Sequence, residues 1–246
     1  MDIAIKAMPL IFASMKDSCN KKWVRGIMTV VRPFLGMKTY GAEHIDPSLG
    51  PSVFVANHGV TSGPVAALIY LPVHFRPWIH DRMLTPDEAA DSMMETFKAR
   101  YNCLGQKRKK RVIRHLAGYL SKAMEAFNPI PVSRSNPMNM MQTVQESVDT
   151  LKSGDNLLIF PENPDGRYDV DSFRKLHPAF GILAFQYYQK TGRLLAFYPC
   201  FSDMGNKTFS IGSPILYSPG DDVQDSIRQL VSKVQASLIE LSQSNS

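Results

Sequence analysis

The sequence predicts an α/β fold, in which helices flank a mostly parallel sheet and an N-terminal amphipathic two-helix hairpin precedes it. Short apolar runs alternate with longer amphipathic segments from about residue 40 onward. The apolar runs carry almost no charge, which is typical of strands that a parallel sheet buries on both faces. Polar side chains follow three of these runs, and ligands bind at the carboxyl ends of strands in such sheets.

The first 38 residues predict the hairpin. Apolar residues recur at steps of three and four over residues 2–16 and again over 22–35, with Asn-Lys-Lys between the two stripes. This part carries seven Lys and Arg against two Asp. Two interpretations stay open: the helices pack on the domain core, or they lie on a membrane surface with Trp and Phe toward the lipid. We therefore expect a hairpin over 1–38 and an acyltransferase-like α/β domain over 39–246, as the resemblance given below implies.

The remaining elements follow from periodicity and from proline and glycine punctuation. Pro64 and Pro137 occupy first turns of predicted helices, where a missing N–H costs nothing, and Gly154 ends a helix. The predicted strands are 51–56, 130–133, 156–160, 193–201 and an edge strand at 207–215. The predicted helices are 63–70, 85–100, 109–127, 136–154, 177–192 and 221–243.

Composition excludes several classes of protein. Three cysteines stand far apart without a CxxC pair, which argues against a disulfide scaffold and a zinc site and fits a reducing compartment. We expect no metal and no bound cofactor. No apolar run reaches 18 residues, and the first residues lack the basic start of a signal peptide. The sequence thus predicts a cytoplasmic protein that associates peripherally with the membrane.

Positive charge is concentrated in two patches, the first 38 residues and "KRKKRVIR" at 107–114, which has six basic residues and no acid. Such patches indicate an anionic partner: a membrane surface, a phosphorylated substrate or nucleic acid. No aromatic residues interleave the basic run and no nucleic-acid module accompanies it, which argues against nucleic acid. Anionic lipid or the phosphates of an acyl carrier remain as partners.

Three strand ends supply the candidate site. His58, Arg134 and Glu162 each follow a predicted strand. A histidine can act as a general base toward a hydroxyl near neutral pH, and an arginine can hold a phosphate with two hydrogen bonds. A glutamate can bind a polyol or orient the other groups. Together these residues predict a site that activates a hydroxyl of a phosphorylated small molecule.

The order and spacing of these segments resemble the phospholipid/glycerol acyltransferases, which include 1-acylglycerol-3-phosphate acyltransferase. The family's four blocks are matched, over roughly residues 40–215, by Asn57-His58 with "GVTS" and Gly63, "IPVSR" with Arg134, Phe160-Pro161-Glu162-Asn163, and "FYPCF" with Pro199. The third block, with the helix that precedes it, is the most specific part.

The resemblance implies a reaction and a role for each residue. His58 would deprotonate a hydroxyl of a glycerol-phosphate or lysophospholipid acceptor, and that hydroxyl would attack the thioester of acyl-CoA or acyl-carrier protein. Arg134 would hold the acceptor's phosphate, and Asn57 and Glu162 would help to bind the acceptor. The acyl thioester is a co-substrate in this reaction.

The sequence departs from the family where an aspartate should pair with the histidine, because Gly63 occupies that position. The family's glycine after the glutamate is Asn163. In a comparable catalytic triad, loss of the carboxylate costs on the order of 10⁴ in rate. Three alternatives remain for His58. It works with a substitute partner, for which Glu162 and Asp81 are the candidates; it works slowly without a partner; or it does not act as a base. On this view, Gly63→Asp tests whether the pair can be restored.

Two other functions compete with acyl transfer. The first is a catalytically inactive relative of the family that binds lipid or an acyl carrier. The second is a hydrolase, because "GVTSG" between a strand and a helix has the form of a nucleophile elbow with Thr61 at its centre. No downstream Asp and His pattern supports the hydrolase.

Overall fold

The computed structural model describes residues 22–58, 62–97, 106–133, 137–162 and 176–244. Its strands are β1 Lys38–Tyr40, β2 Ser52–Ala56, β3 Phe75–His80, β4 Ile130–Val132, β5 Asn156–Ile159, β6 Ala196–Asp203, β7 Thr208–Ile211 and β8 Ile215–Leu216. Its α-helices are α1 Lys22–Leu35, α2 Ser62–Tyr70, α3 Pro86–Phe97, α4 Gln106–Glu125, α5 Pro137–Lys152, α6 Ala179–Thr191 and α7 Val223–Ser244.

The strands form one mixed sheet in the order β1-β7-β6-β2-β5-β3-β4, with β8 also paired to β6. The central run from β6 through β2, β5 and β3 to β4 is parallel throughout. β7 and β8 pair with β6 in antiparallel fashion, and β1 pairs with β7 in parallel. The predicted α/β class with a mostly parallel sheet and flanking helices is confirmed.

Helices cover both faces of the sheet, which explains the uncharged strand sequences. Along β2, Phe54 and Ala56 pack into the core beside α1 and α2. Val53 and Val55, which point the other way, pack into a second core built with α5, α6 and α7. Because successive strand residues face opposite sides, a strand covered on both sides must be apolar at every position.

Two strands were not predicted and one was misplaced. β3 contains Arg76 and Pro77, residues that normally argue against a central strand, yet it lies between β5 and β4. β1 is three residues long and carries no apolar alternation. The edge strand predicted at 207–215 is wrong: it divides into β7 and β8, and β7 lies between β1 and β6, so that β1 forms the edge.

The second helix of the predicted N-terminal hairpin is α1, and the first, over 2–16, lies outside the described residues. Val24 and Met28 of α1 are buried in the core beside the sheet. On its other side α1 exposes a stripe of large apolar residues at steps of four and three, Trp23, Ile27, Val30 and Phe34. This helix therefore packs on the domain and still presents an apolar surface outward.

Candidate functional site

The carboxyl ends of β2 and β5 are neighbours, because these strands pair in parallel with Val55 opposite Ile159. Asn57 and His58 follow β2, and Phe160, Pro161 and Glu162 follow β5. The sheet order thus brings two of the three predicted polar segments side by side at one edge. We call this edge, where β2, β5, β3 and β4 end, the carboxyl edge.

A hydrogen bond joins these two segments. The backbone N–H of His58 donates to Oε1 of Glu162 at 2.7 Å, a length typical of a bond to a charged acceptor. The His58 ring is half-buried and meets the edge of the Phe160 ring at 84°, with 5.9 Å between the ring centroids. Glu162 therefore fixes the backbone from which the imidazole projects.

Asn57 holds the same turn from the opposite side. Its side-chain amide donates to the carbonyl oxygen of Ser202 at 3.1 Å and accepts from the N–H of Ser202 at 2.8 Å. Both bonds are buried and continue the β2–β6 ladder after its last backbone bond, from Asn57 N–H to the oxygen of Cys200. The amide of Asn57 thus has a structural role at the strand end, and its role as a substrate ligand stays a prediction.

The backbone after β5 is also tied down. The N–H of His177 donates to the oxygen of Pro161 at 2.8 Å, and Glu162 forms an isolated antiparallel bridge with Leu176. Pro161 is buried. The main chain of Glu162 is therefore held against the start of α6, which leaves its side chain to meet His58.

Gly63 lies in the first turn of α2, directly against the turn that carries His58. A Cβ atom placed on Gly63 would stand 2.1 Å from the oxygen of Asn57 and 2.7 Å from the oxygen of His58. Both are backbone atoms, so any side chain here requires the His58 turn or α2 to move. The position at which the resemblance expects an aspartate has no room for a carboxylate. The expectation that Gly63→Asp could restore the pair therefore conflicts with the geometry.

The third predicted group, Arg134, lies outside the described residues. Its strand, β4, ends at Val132 on the carboxyl edge, and Ser133 is buried there. Between β2 and β4 stand β5 and β3, so the ends of β2 and β4 are about 14 Å apart along the edge. Asn163 and Thr61, named by the resemblance and by the hydrolase alternative, also lie outside the described residues.

Asp81, the second candidate partner of His58, follows β3. Its carboxylate lies 2.8 Å from Nδ1 of His80 and accepts the N–H of Arg82, also at 2.8 Å. β5 separates β3 from β2 in the sheet. The described contacts of Asp81 are thus with its sequence neighbours, whereas Glu162 contacts His58 directly.

Cys200 on β6 is the remaining nucleophile near this edge. Its side chain is fully buried, and burial raises the pKa of its thiol far above the ordinary value. A thiol that stays protonated is a poor nucleophile and a poor metal ligand. Cys200 therefore belongs to the core.

Sequence reasoning missed three features of the site: the pairing of Asn57 with Ser202, the contact from Glu162 to a backbone N–H, and the packing of Gly63. Only the last had a signal, a glycine at the start of a helix seven residues after a strand end. Among the described side chains, no group of three or more His, Cys, Asp or Glu could hold a metal ion. No helix in the described ranges is long and apolar enough to cross a bilayer.

Comparison with known proteins finds likeness among solved structures. No protein-family model matches the chain. No curated protein matches it. The crystal structure of the 1-acyl-sn-glycerophosphate (LPA) acyltransferase PlsC from Thermotoga maritima aligns with a TM-score of 0.47 and 16% sequence identity, over 89% of this chain and 79% of that one. At this TM-score the likeness carries no argument about activity, so the functional assignment depends on the site.

Proposed function

We propose that this protein transfers an acyl group from a thioester, acyl-CoA or acyl-carrier protein, to a hydroxyl of a glycerol-phosphate or lysophospholipid. The observation that carries the proposal is the hydrogen bond between His58 N–H and Glu162. It joins the two segments that resemble the first and third blocks of the phospholipid/glycerol acyltransferases. Two blocks more than a hundred residues apart in sequence meet where a parallel sheet binds its ligands.

The reaction needs one base and one leaving group. An imidazole nitrogen of His58 takes the proton of the acceptor hydroxyl as its oxygen bonds to the thioester carbonyl carbon. The tetrahedral intermediate then collapses, the carbon–sulfur bond breaks, and the thiolate takes the proton from the imidazolium. The products are an ester and a free thiol, and His58 returns to its starting state.

Glu162 acts in this scheme as a positioning residue. One of its oxygens accepts the backbone N–H of His58, which fixes the main chain from which the imidazole projects. Because a Cβ on Gly63 would meet two backbone oxygens, the aspartate of the family pattern has no counterpart there. Glu162 rather than Asp81 is the substitute partner that we retain. We expect Arg134 to hold the acceptor's phosphate.

A second candidate function follows from the same glycine: an inactive relative that binds lipid or an acyl carrier without turnover. The absence of room for an aspartate at position 63 favours it. It predicts that lysophospholipid binds the protein and that replacement of His58 leaves binding intact.

We further propose that the protein works at a membrane surface. The apolar stripe of α1 is exposed. Trp23 and Phe34, at its two ends, are 42% and 82% exposed. Helix α1 itself carries Lys22, Arg25 and Arg32, three of the seven Lys and Arg of the first 38 residues, and Lys21 precedes it. An apolar helix face beside a basic segment is suited to an anionic lipid surface.

The test is transfer of a labelled acyl group from acyl-CoA, with glycerol 3-phosphate and lysophosphatidate as alternative acceptors. His58→Ala should lower the rate by at least ~10²–10⁴-fold, the usual contribution of a general base. Equal transfer by wild type and His58→Ala would refute His58 as the base. If neither transfers, while both bind lysophosphatidate in a direct binding assay, the inactive relative is the correct function.

A further inference from the structure

The helices α3 and α4 form a hairpin that stands apart from the two main cores. They pack mainly on each other, around a small core of four buried residues with Ala89 and Ala90 from α3 and Ile113 and Ala117 from α4. Met83, Met93 and Met94 pack against it. Of the two large cores, only the one beside α1 and α2 takes residues from the end of α4, namely Ala123 and Met124.

One hydrogen bond fixes where this hairpin stands. The hydroxyl of Ser121 donates to the oxygen of Met83 at 2.9 Å, and Met83 belongs to the 3-10 turn Asp81–Met83 that follows β3. This turn lies on the carboxyl edge, the edge that carries His58 and Glu162. From Ser121 back to Gln106, α4 continues for about 22 Å. Fifteen residues of the helix thus precede the point at which it meets the site edge.

The charge of the hairpin is divided between its helices. α4 carries seven Lys and Arg against one Glu, whereas α3 carries four acids and no basic residue. The one ion pair described between them, Arg114 with Asp87, has a long separation of 3.7 Å and exposed partners. Five of the basic residues of α4 occupy positions 107–111, at the end of the helix farthest from Ser121.

Exposed apolar side chains accompany these charges. Leu116 and Tyr119, three residues apart on α4, are 52% and 67% exposed, and His115 and Lys122 beside them are exposed as well. A basic helix that presents leucine and tyrosine outward has the composition of helices that lie at a lipid–water interface. Its charge is complementary to that of an anionic headgroup layer.

We propose that the outward surface of α4, from Arg114 to Lys122, docks on anionic phospholipid and turns the carboxyl edge of the sheet toward the bilayer. The inference deepens the proposed function, because a lysophospholipid acceptor reaches His58 from a bilayer. It names a second lipid contact, distinct from α1. The occupant is a lipid surface rather than an acidic protein because Leu116 and Tyr119 lie among the cations.

The test is co-sedimentation of the full chain with vesicles of phosphatidylcholine, alone and mixed with phosphatidylglycerol. Wild type should bind the anionic vesicles, and added salt should weaken the binding. Arg114→Glu with Lys122→Glu, both exposed in α4, should lower the partition coefficient at least ~10-fold, since each basic residue near an anionic surface contributes about a factor of five. Replacement of Leu116 and Tyr119 by serine should weaken binding as well.

A matched control has the same charge change at the opposite edge of the sheet. Lys152 ends α5 before β5 begins, and Arg193 precedes β6, so both lie at the amino ends of strands, and both are exposed. Lys152→Glu with Arg193→Glu should bind the vesicles like wild type. If both double variants lose binding equally, net charge alone acts and the surface is refuted. Thermal unfolding of each variant checks that it folds, and Arg114→Gln with Lys122→Gln replaces a charge-reversal variant that does not fold.

Two further outcomes overturn the proposal. One is wild-type binding by the variant with Arg114→Glu and Lys122→Glu. The other is that α4 retains an acidic acyl-carrier protein in a pull-down while anionic vesicles do not bind, which makes the partner a protein. Because vesicle binding is measured without substrate, it can succeed where acyl transfer fails. Conversely, transfer to water-soluble glycerol 3-phosphate can succeed where vesicle binding fails.

Discussion

At the scale of single residues, the turn after β2 is held from two sides. The amide of Asn57 binds the backbone of Ser202, and the carboxylate of Glu162 binds the backbone of His58. Where the hydrogen-bond ladder of the strands ends, these two side chains take the place of backbone hydrogen-bond partners. Sequence reasoning identified these residues by their type and position, but assigned Asn57 to substrate, and Glu162 to substrate or to a pair with His58. A hydrogen bond from a side chain to the backbone of a distant segment leaves no pattern in sequence.

Two variants of Glu162 distinguish the effect of its hydrogen bond to His58 from the effect of its negative charge. Glu162→Gln keeps an oxygen that can accept from His58 N–H, so kcat should fall by less than ~10-fold. Glu162→Ala removes the acceptor. It should raise the activation free energy by more, about 1.5–3 kcal/mol, the contribution of a hydrogen bond to a charged group. The measurement is kcat and KM for acyl transfer over a pH range. A Gln variant as poor as the Ala variant would mean that the negative charge, not the hydrogen bond, is what His58 needs.

Gly63 gives a second prediction, with a glycine of α4 as its control. Gly63→Ala should destabilise the protein by about 1–3 kcal/mol and displace His58, because the added carbon meets two backbone oxygens. Gly118→Ala, also inside a helix, meets nothing within 4 Å and should stabilise the protein by up to ~1 kcal/mol. Urea unfolding measures both. If Gly63→Asp is stable and more active than wild type, the close approach to His58 is wrong.

At the scale of elements, apolar runs predicted the buried strands β2, β5 and β6, because a strand covered on both faces leaves little choice of residue. β3 escaped notice because its polar residues are used in docking. Arg76 reaches three acceptors on α5 and the preceding loop, and Trp78 donates to Ser147 of α5 at 2.8 Å. In sequence, "FRPWIH" shows only an arginine and a proline, both typical of loops.

The contribution of the hydrogen bonds between β3 and α5 to stability can be tested by comparison with an exposed ion pair. Arg76→Leu removes bonds to Asn128, Thr150 and Glu146, of which the Glu146 contact is 2.6 Å, and should destabilise the protein by about 2 kcal/mol. Arg228→Leu removes an exposed pair with Asp225 on α7 and should cost less than ~0.5 kcal/mol. Equal shifts in the urea midpoints of the two variants would contradict the network.

At the scale of the whole molecule, one buried thiol reports on global unfolding. Cys200 is 0% exposed, and burial raises the pKa of its thiol, so the native protein holds it protonated at pH values where the unfolded chain ionises it. This contribution to stability is complete below the ordinary thiol pKa of about 8.5 and is lost as pH rises above it, by about 1.4 kcal/mol per pH unit.

Alkylation measures this effect in a Cys19→Ser, Cys103→Ser background. Cys200 should react only through unfolding, with labelling that slows when stability is high and speeds up as pH rises above about 8.5. Rapid labelling of the folded chain at neutral pH would show that β6 opens locally and that the core beside α1 and α2 is not closed around this thiol.

The order of the strands brings candidate functional residues to one edge of the sheet. Five parallel strands stand in the order β6-β2-β5-β3-β4, with helices on both faces of the sheet, and this order makes the ends of β2 and β5 neighbours. Sequence reasoning predicted that these ends converge but had no means to give their order. That order puts Glu162 next to His58 and puts the end of β4, which precedes Arg134, about 14 Å away.

The most direct test of the central claim is the single-turnover rate of acyl transfer from labelled acyl-CoA to lysophosphatidate in wild type, His58→Ala and His74→Ala. His74 precedes β3 at the amino edge and pairs only with Asp155 among its described ion partners, so it serves as the matched histidine. We predict measurable transfer by wild type and by His74→Ala, and a loss of at least ~10²-fold in His58→Ala. Transfer that survives in His58→Ala at the rate of His74→Ala would contradict the account.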